Sequence, residues 1–195
     1  MQEVELGGDK SFIGAWYLSD LTICDDLISY FQLNDAKSVG EIGPNRKVDK
    51  AIKDSLDLVV SPENFGHPVI AKYLIALREV AACYTEKYDA AGAVNAWGVT
   101  ENVNIQYYQP TGGYKEWHTE RIGKMLPYLD RHLVFMTYLN DVDDEGGTEF
   151  FYQRLRVRPR KGLTLIWPVD WTHLHRGVVS PSQQKYIITG WFSFL

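Results

Sequence analysis

The sequence predicts a mostly β protein, a jelly-roll or cupin-like barrel buttressed by N-terminal α-helices. Three observations carry this prediction. Helical periodicity is confined to the first hundred residues, short β-branched and aromatic-rich runs take over from residue 99, and the clusters PTGG, DVDDEGG and SPSQQ separate those runs as turns. Several short strands that close on themselves, with helices packed outside, leave few open edges.

The elements follow in order. Residues 20–32, DLTICDDLISYFQ, place Leu21, Cys24, Leu27, Ile28 and Phe31 on one helical face, with Asp20 positioned to cap the start. Residues 68–88 repeat the pattern with Ile70, Tyr73, Leu74, Leu77, Val80, Ala81 and Tyr84. Between them runs a polar excursion, 37–67, containing Gly and Pro and one strand-like stretch, SLDLVV. Segments of this kind often border a site. Four runs then read as strands: TENVNIQYYQP, RHLVFMTYLND, GLTLIWP and KYIITGWFSFL.

Composition narrows the class further. With 195 residues, 45% of them hydrophobic and 23% charged, the chain can enclose a substantial core and is expected to form one domain. In this reading residues 1–98 are a helical buttress with substrate-side loops, and 99–195 are the core barrel. A net charge of −5 offers no overall attraction to nucleic acid or anionic membranes. Two distant cysteines, Cys24 and Cys83, make neither a disulfide framework nor a thiolate metal site. With no run long enough for a bilayer and no basic-then-apolar leader, a reducing cytoplasm is the expected setting.

Two stretches carry candidate chemistry. In EWHTER, residues 116–121, an extended backbone points His118 and Glu120 to the same side. One imidazole and one carboxylate then converge, and a third group from another strand would complete a facial site with two nitrogens and one oxygen. DWTHLHRG, residues 170–177, offers His173 and His175, between which strand parity does not choose. Lys185 shares a face with Ile187, Thr189 and Trp191, so it should be buried and meet an anion.

The ordered series YYQPTGGYKEWHTE, TYLND, GGTEFF, RPRKGLTLIWP, HRG and KYIITGW resembles the iron(II)- and 2-oxoglutarate-dependent dioxygenases, in particular their prolyl 4-hydroxylase-like branch. The likeness covers residues 100–195. It implies a double-stranded β-helix, Fe(II), 2-oxoglutarate and O2 as cofactor and cosubstrates, and ascorbate as an accessory reductant. It also implies hydroxylation of a C–H bond with succinate and CO2 as co-products, on a small molecule or a peptidyl residue such as proline. By the same resemblance His118, Glu120 and His175 are the metal ligands. The ten-residue spacing to the carboxylate-binding Lys185 selects His175 over His173, which becomes a group at the cleft edge. Tyr138, Tyr108 and Trp191 are implied on the cosubstrate side. The chain departs from the pattern in carrying glutamate rather than aspartate at 120, and in one extra residue between Tyr114 and His118.

Two other readings compete: a cupin-like metal-binding or sensing module without turnover, and a nucleic-acid demethylase on the same barrel, which the charge disfavours. Elsewhere RLRVRPRK, 154–161, reads as a solvated edge strand and turn, His132 and His67 as structural groups, and DVDDEGG as a flexible acidic turn without calcium-loop spacing.

Overall fold

A computed structural model describes residues 1–8, 11–43, 45–123 and 125–195. Its helices are α1 (Thr22–Leu33), α2 (Pro68–Lys87) and the short α3 (Asp89–Ala93). Asp20 does serve the start of α1: its Oδ1 accepts the Thr22 backbone N–H at 2.9 Å and the Thr22 hydroxyl at 2.7 Å. Cys24, Leu27 and Phe31 of α1 and Ile70, Tyr73, Leu77, Val80 and Tyr84 of α2 are buried, the stripes that the periodicity marked. Pro68, whose missing N–H costs nothing in a first turn, opens α2. No helix among the described residues is long and apolar enough to cross a membrane.

The strands are β1 (Gly14–Tyr17), β2 (Ser38–Val39), β3 (Lys53–Asp54), β4 (Leu56–Val60), β5 (Trp97–Gly98), β6 (Val103–Tyr108), β7 (Gly113–Tyr114), β8 (Arg131–Tyr138), β9 (Thr148–Phe150), β10 (Leu155–Val157), β11 (Leu163–Pro168), β12 (His175–Gly177) and β13 (Lys185–Phe194). A large antiparallel sheet runs β1-β11-β8-β13-β6-β4-β2, with β5 also on β13. Two smaller ladders, β10-β9-β12 and β3-β7, face it. Strands from the first sixty residues thus enter the large sheet and one of the small ladders: β1 pairs with β11, β4 with β6 and β3 with β7. The N-terminal half does more than buttress.

Each face of the large sheet has its own task. Ile105, Phe135, Ile166 and Ile188 pack outward against α1 and α2 in one core cluster, while Tyr108, Val134, Met136, Tyr138, Leu165, Trp167 and Ile187 belong to a second, interior one. Register explains the division. Across β6, β13 and β8, Gln106, Ile187 and Tyr138 stand in one row, and Asn104, Thr189 and Met136 in the next, so period-two alternation sends all six inward. Threonines fill the polar needs of the outer face: the Tyr73 and Thr137 hydroxyls lie 3.0 Å apart and those of Thr137 and Thr164 2.7 Å apart.

Candidate active site

Between the sheets lies a cavity of about 690 Å3. Its walls include His118, Glu120, His175, Lys185, Tyr108, Tyr138 and Trp191, so every residue singled out in the sequence as ligand or cosubstrate contact meets there.

His175 opens β12, and His118 faces it through an isolated antiparallel bridge in which each backbone N–H donates to the other's carbonyl, at 2.9 and 3.0 Å. Glu120 is two residues further along. The His118 Nε2 is 3.6 Å and the His175 Nε2 3.5 Å from the same Glu120 Oε1, and one donor atom from each residue lies within 4.8 Å of the others. Both Nδ1 atoms are 2.9 Å from backbone carbonyls, of Glu116 and His173. A carbonyl only accepts, so each Nδ1 carries the proton and each Nε2 turns a lone pair toward the carboxylate. Burial holds the His175 pKa below its ordinary value, which keeps that ring neutral. Burial acts to raise the Glu120 carboxyl, but the two imidazoles that face it take up a proton in preference to it, so the carboxyl stays well below the ordinary carboxylate range and ionised. Two lone pairs and an anionic oxygen converge with no proton of their own. Such a donor set fits a divalent cation, and its mix of imidazole and carboxylate fits iron(II).

His173 does not join them. It is buried, with Nε2 3.0 Å from the Ser11 carbonyl and Nδ1 3.0 Å from the Thr172 hydroxyl, so it ties the N-terminal segment to the turn before β12. Tyr114 stacks on the His118 ring, centroids 3.8 Å apart and planes 9° off parallel. Its carrying strand comes close because residue 177 is glycine, where a Cβ would lie 3.2 Å from the Tyr114 carbonyl oxygen.

Lys185, Tyr108 and Tyr138, expected on the cosubstrate side, sit on the opposite sheet. Lys185 is 5% exposed, and among the described residues it has no ion pair; its Nζ donates to the Gly146 carbonyl at 2.7 Å. Gly146 adopts φ +71°, and a Cβ there would approach Val142 Cγ1 to 2.8 Å, so glycine is what lets this carbonyl reach the ammonium. Burial pulls the Lys185 pKa down to about 8. The Tyr108 ring lies 4.9 Å from Nζ, directly across from Lys185 in register, and its hydroxyl donates to Gln106 Oε1 at 2.7 Å. Tyr138, fully buried, has its hydroxyl 2.6 Å from that of Thr148.

Sequence reasoning missed Arg131 and Glu101. Arg131, 5% exposed at the start of β8, is forked onto Glu101 with contacts of 2.7, 3.0 and 3.1 Å. An arginine opening a strand reads as a solvated edge, and only the carboxylate thirty residues earlier reveals otherwise. Trp191 also differs in detail from expectation: its indole N–H points at the metal donors, reaching Glu120 Oε2 at 3.1 Å.

Residues 103–193 match the sequence model of the 2OG-Fe(II) oxygenase superfamily. Over that stretch, just under half of its length, the chain is similar to that superfamily. It is a 2-oxoglutarate-dependent dioxygenase, and iron(II), 2-oxoglutarate and dioxygen are its cofactor and cosubstrates. The oxygenase shares its double-stranded β-helix with solved prolyl hydroxylases. These include a viral collagen prolyl hydroxylase of Paramecium Bursaria Chlorella virus-1 in its 2OG complex (TM-score 0.69, 18% identity, 94% of this chain and 97% of that one). A Pseudomonas putida prolyl-4-hydroxylase is similar (0.70, 16%, 93% and 92%). So is a Trichoplax adhaerens prolyl hydroxylase in complex with a peptide fragment of the hypoxia inducible factor oxygen degradation domain (0.73, 13%, 95% and 84%). No curated protein sequence matches the chain.

Three of the five basic residues in the run 154–161 pair with acidic neighbours, Arg156 with Glu145 and Glu149, Arg160 with Asp143 and Lys161 with Asp25, and Arg154 and Arg158 are exposed. His132 faces the Ala91 carbonyl at 2.9 Å and His67 packs on Tyr30, both away from the cavity.

Proposed function

We propose that the oxygenase hydroxylates a C–H bond of a peptidyl substrate, with a proline residue as the leading candidate, and releases succinate and CO2. His118, Glu120 and His175 would hold the iron by two Nε2 atoms and one carboxylate oxygen. Lys185 and Tyr138 would bind the distal carboxylate of 2-oxoglutarate. Iron with 2-oxoglutarate and dioxygen supplies the oxidising chemistry when bound. The chain's residues supply position and dryness.

One observation carries this reading: three convergent lone-pair donors lie in the same cavity as a buried lysine that has no anionic partner among the described residues. An ammonium in an apolar wall costs free energy until a carboxylate arrives, so the wall is suited to a dicarboxylic acid. Tyr138 and Thr148 present hydroxyls beside it that can turn to donate. The preference for a peptide rests on the shape of the cavity mouth. There the wall is formed by exposed Ser38 and Val39 of the sheet-edge strand β2 and by Glu41, Ile42 and Arg46 of the segment that follows. An extended chain suits such an edge, because strand edges offer main-chain hydrogen bonds. The peptide fragment bound by the similar Trichoplax adhaerens prolyl hydroxylase points the same way.

Anaerobic addition of iron(II) and 2-oxoglutarate should produce the weak visible charge-transfer band of the chelate, and succinate should accumulate in air with a proline-containing peptide. Metal binding without that band would favour a non-catalytic metal-binding module. Succinate formation stimulated by amino acids or oligonucleotides, with peptides inert, would overturn the substrate assignment.

A further inference from the structure

Glu120 has one more rotatable bond than an aspartate, yet its Oε1 alone faces both imidazoles. What fixes it is a clamp on the other oxygen. Oε2 accepts the Trp191 indole N–H at 3.1 Å and lies 3.7 Å from Arg131 Nη1, while the same Nη1 donates to the Glu120 backbone carbonyl at 3.1 Å. The Glu120 backbone N–H is itself held by the Val169 carbonyl at 3.1 Å. Both ends of the residue are therefore tethered.

The clamp is itself braced. Arg131 Cζ lies 3.4 Å from the Trp191 ring centroid and 4.4 Å from that of Tyr128, so its guanidinium plane sits between two aromatic faces. Glu101 takes its fork bidentately, and the Ser193 hydroxyl donates to Glu101 Oε1 at 2.8 Å. Arg121 donates through Nη2 to the Arg131 carbonyl. Trp191 and Ser193 lie two residues apart on β13, so one strand carries both the direct donor to Glu120 and the group that orients Arg131's counter-ion.

We propose that Trp191 and Arg131, the latter oriented by Glu101 and Ser193, are positioning residues that confine Glu120 to monodentate coordination. Swinging Oε2 onto the metal would break the indole hydrogen bond and leave the buried guanidinium facing a vacated carboxylate. Keeping Oε2 away preserves open coordination positions for cosubstrate. This rests on the ligand assignment made above, and it explains how a longer carboxylate can serve where aspartate is usual.

The test uses the metal-free full chain and cobalt(II) alone, with affinity by calorimetry and coordination number by d–d absorption, whose intensity falls as coordination number rises. Trp191→Phe keeps the ring on Arg131 but deletes the N–H. It should weaken cobalt(II) about tenfold, the usual scale for outer-shell partners of metal ligands, and lower the d–d intensity as Glu120 becomes bidentate. Arg131→Lys should change both readouts in the same direction. Variants that are folded by circular dichroism yet keep wild-type affinity and spectrum would overturn the clamp. Failure of the wild-type protein to bind cobalt(II) would overturn the ligand assignment and the clamp together, and so is distinguishable.

Discussion

Replacing Lys185 with methionine removes the ammonium while keeping an unbranched chain that fills the wall. In the ligand-free protein the lysine is depressed by burial from 10.5 to about 8. A lysine lowered in the folded state opposes folding wherever the unfolded chain is protonated and the folded one is not, or is so only at a cost. Its penalty is therefore full below pH 8 and fades as pH rises to 10.5. The gap of 2.5 units corresponds to about 3 kcal/mol at 1.36 kcal/mol per unit. The hydrogen bond to Gly146 offsets about 1.5 kcal/mol or more of that, so the methionine variant should nearly match or slightly exceed wild type near neutral pH. Urea unfolding of both proteins across pH 7.5 to 10 should show wild type gaining about 2 kcal/mol relative to the variant.

Binding gives the second half of the test. A carboxylate placed beside Nζ restores the charged form, so at pH 9 wild type should take up about 0.9 proton per 2-oxoglutarate bound, read from calorimetry in two buffers of different ionisation enthalpy. The variant should take up none. Its affinity for 2-oxoglutarate should fall by about 30-fold or more, since removing one member of a buried charge pair costs about 2–5 kcal/mol. Cobalt(II) affinity should stay unchanged, because Nζ is no member of the donor triad. A pH-independent stability difference, or equal loss of metal and cosubstrate binding, would refute the reasoning.

Other perturbations separate the remaining roles. His175→Ala should abolish metal binding, whereas His173→Ala should retain it and lose about 1–3 kcal/mol of stability as the Ser11 carbonyl loses its partner; calorimetry and urea unfolding read the two effects. Tyr138→Phe should weaken 2-oxoglutarate several-fold, a loss of about 1 kcal/mol, with cobalt(II) affinity intact. Asp57→Asn strands the buried Lys53 ammonium, now 2.5 Å from the Asp57 carboxylate, and should cost about 3–5 kcal/mol in urea unfolding; a loss under 1 kcal/mol would mean that the pair is solvated.

How far the sequence revealed this molecule depended on how local each signal was. Helices α1 and α2 each bury one stripe, so period and cap marked their extent within two residues. Strands β6, β8, β11 and β13 are long, β-branched and bounded by turns. Strand β1 escaped notice because GAWY is buried almost throughout and has no polar alternation. Strands β2, β3, β5 and β7, two residues each, carry no periodic signal at all. The donor triad was legible because His-x-Glu is local and only one partner had to be found at a distance. Which of His173 and His175 completes it turned on a 3-10 turn, Trp171–His173, that tips His173 toward Ser11, and parity does not encode such a turn. Arg131 was opaque for the opposite reason. Its burial depends on Glu101, Tyr128 and Trp191, contributed by three separate stretches.

The placement of the triad and Lys185 on opposing sheets has a mechanical consequence. Lys185, Tyr108 and Tyr138 are fixed by the register of the large sheet, whose outer face is backed by α1 and α2. His175 and its bridge partner His118 belong to the smaller, three-stranded side. On the assignment proposed above, cosubstrate would touch both at once, and the separation of the sheets would set whether it can reach the metal donors and the ammonium together. Glu120 spans that divide: its backbone N–H is held by Val169, just past β11, while its carboxylate is held by Trp191 of β13 and faces His175 of β12. A donor held by β13 and facing β12 couples the spacing of the two sheets to the geometry of the triad.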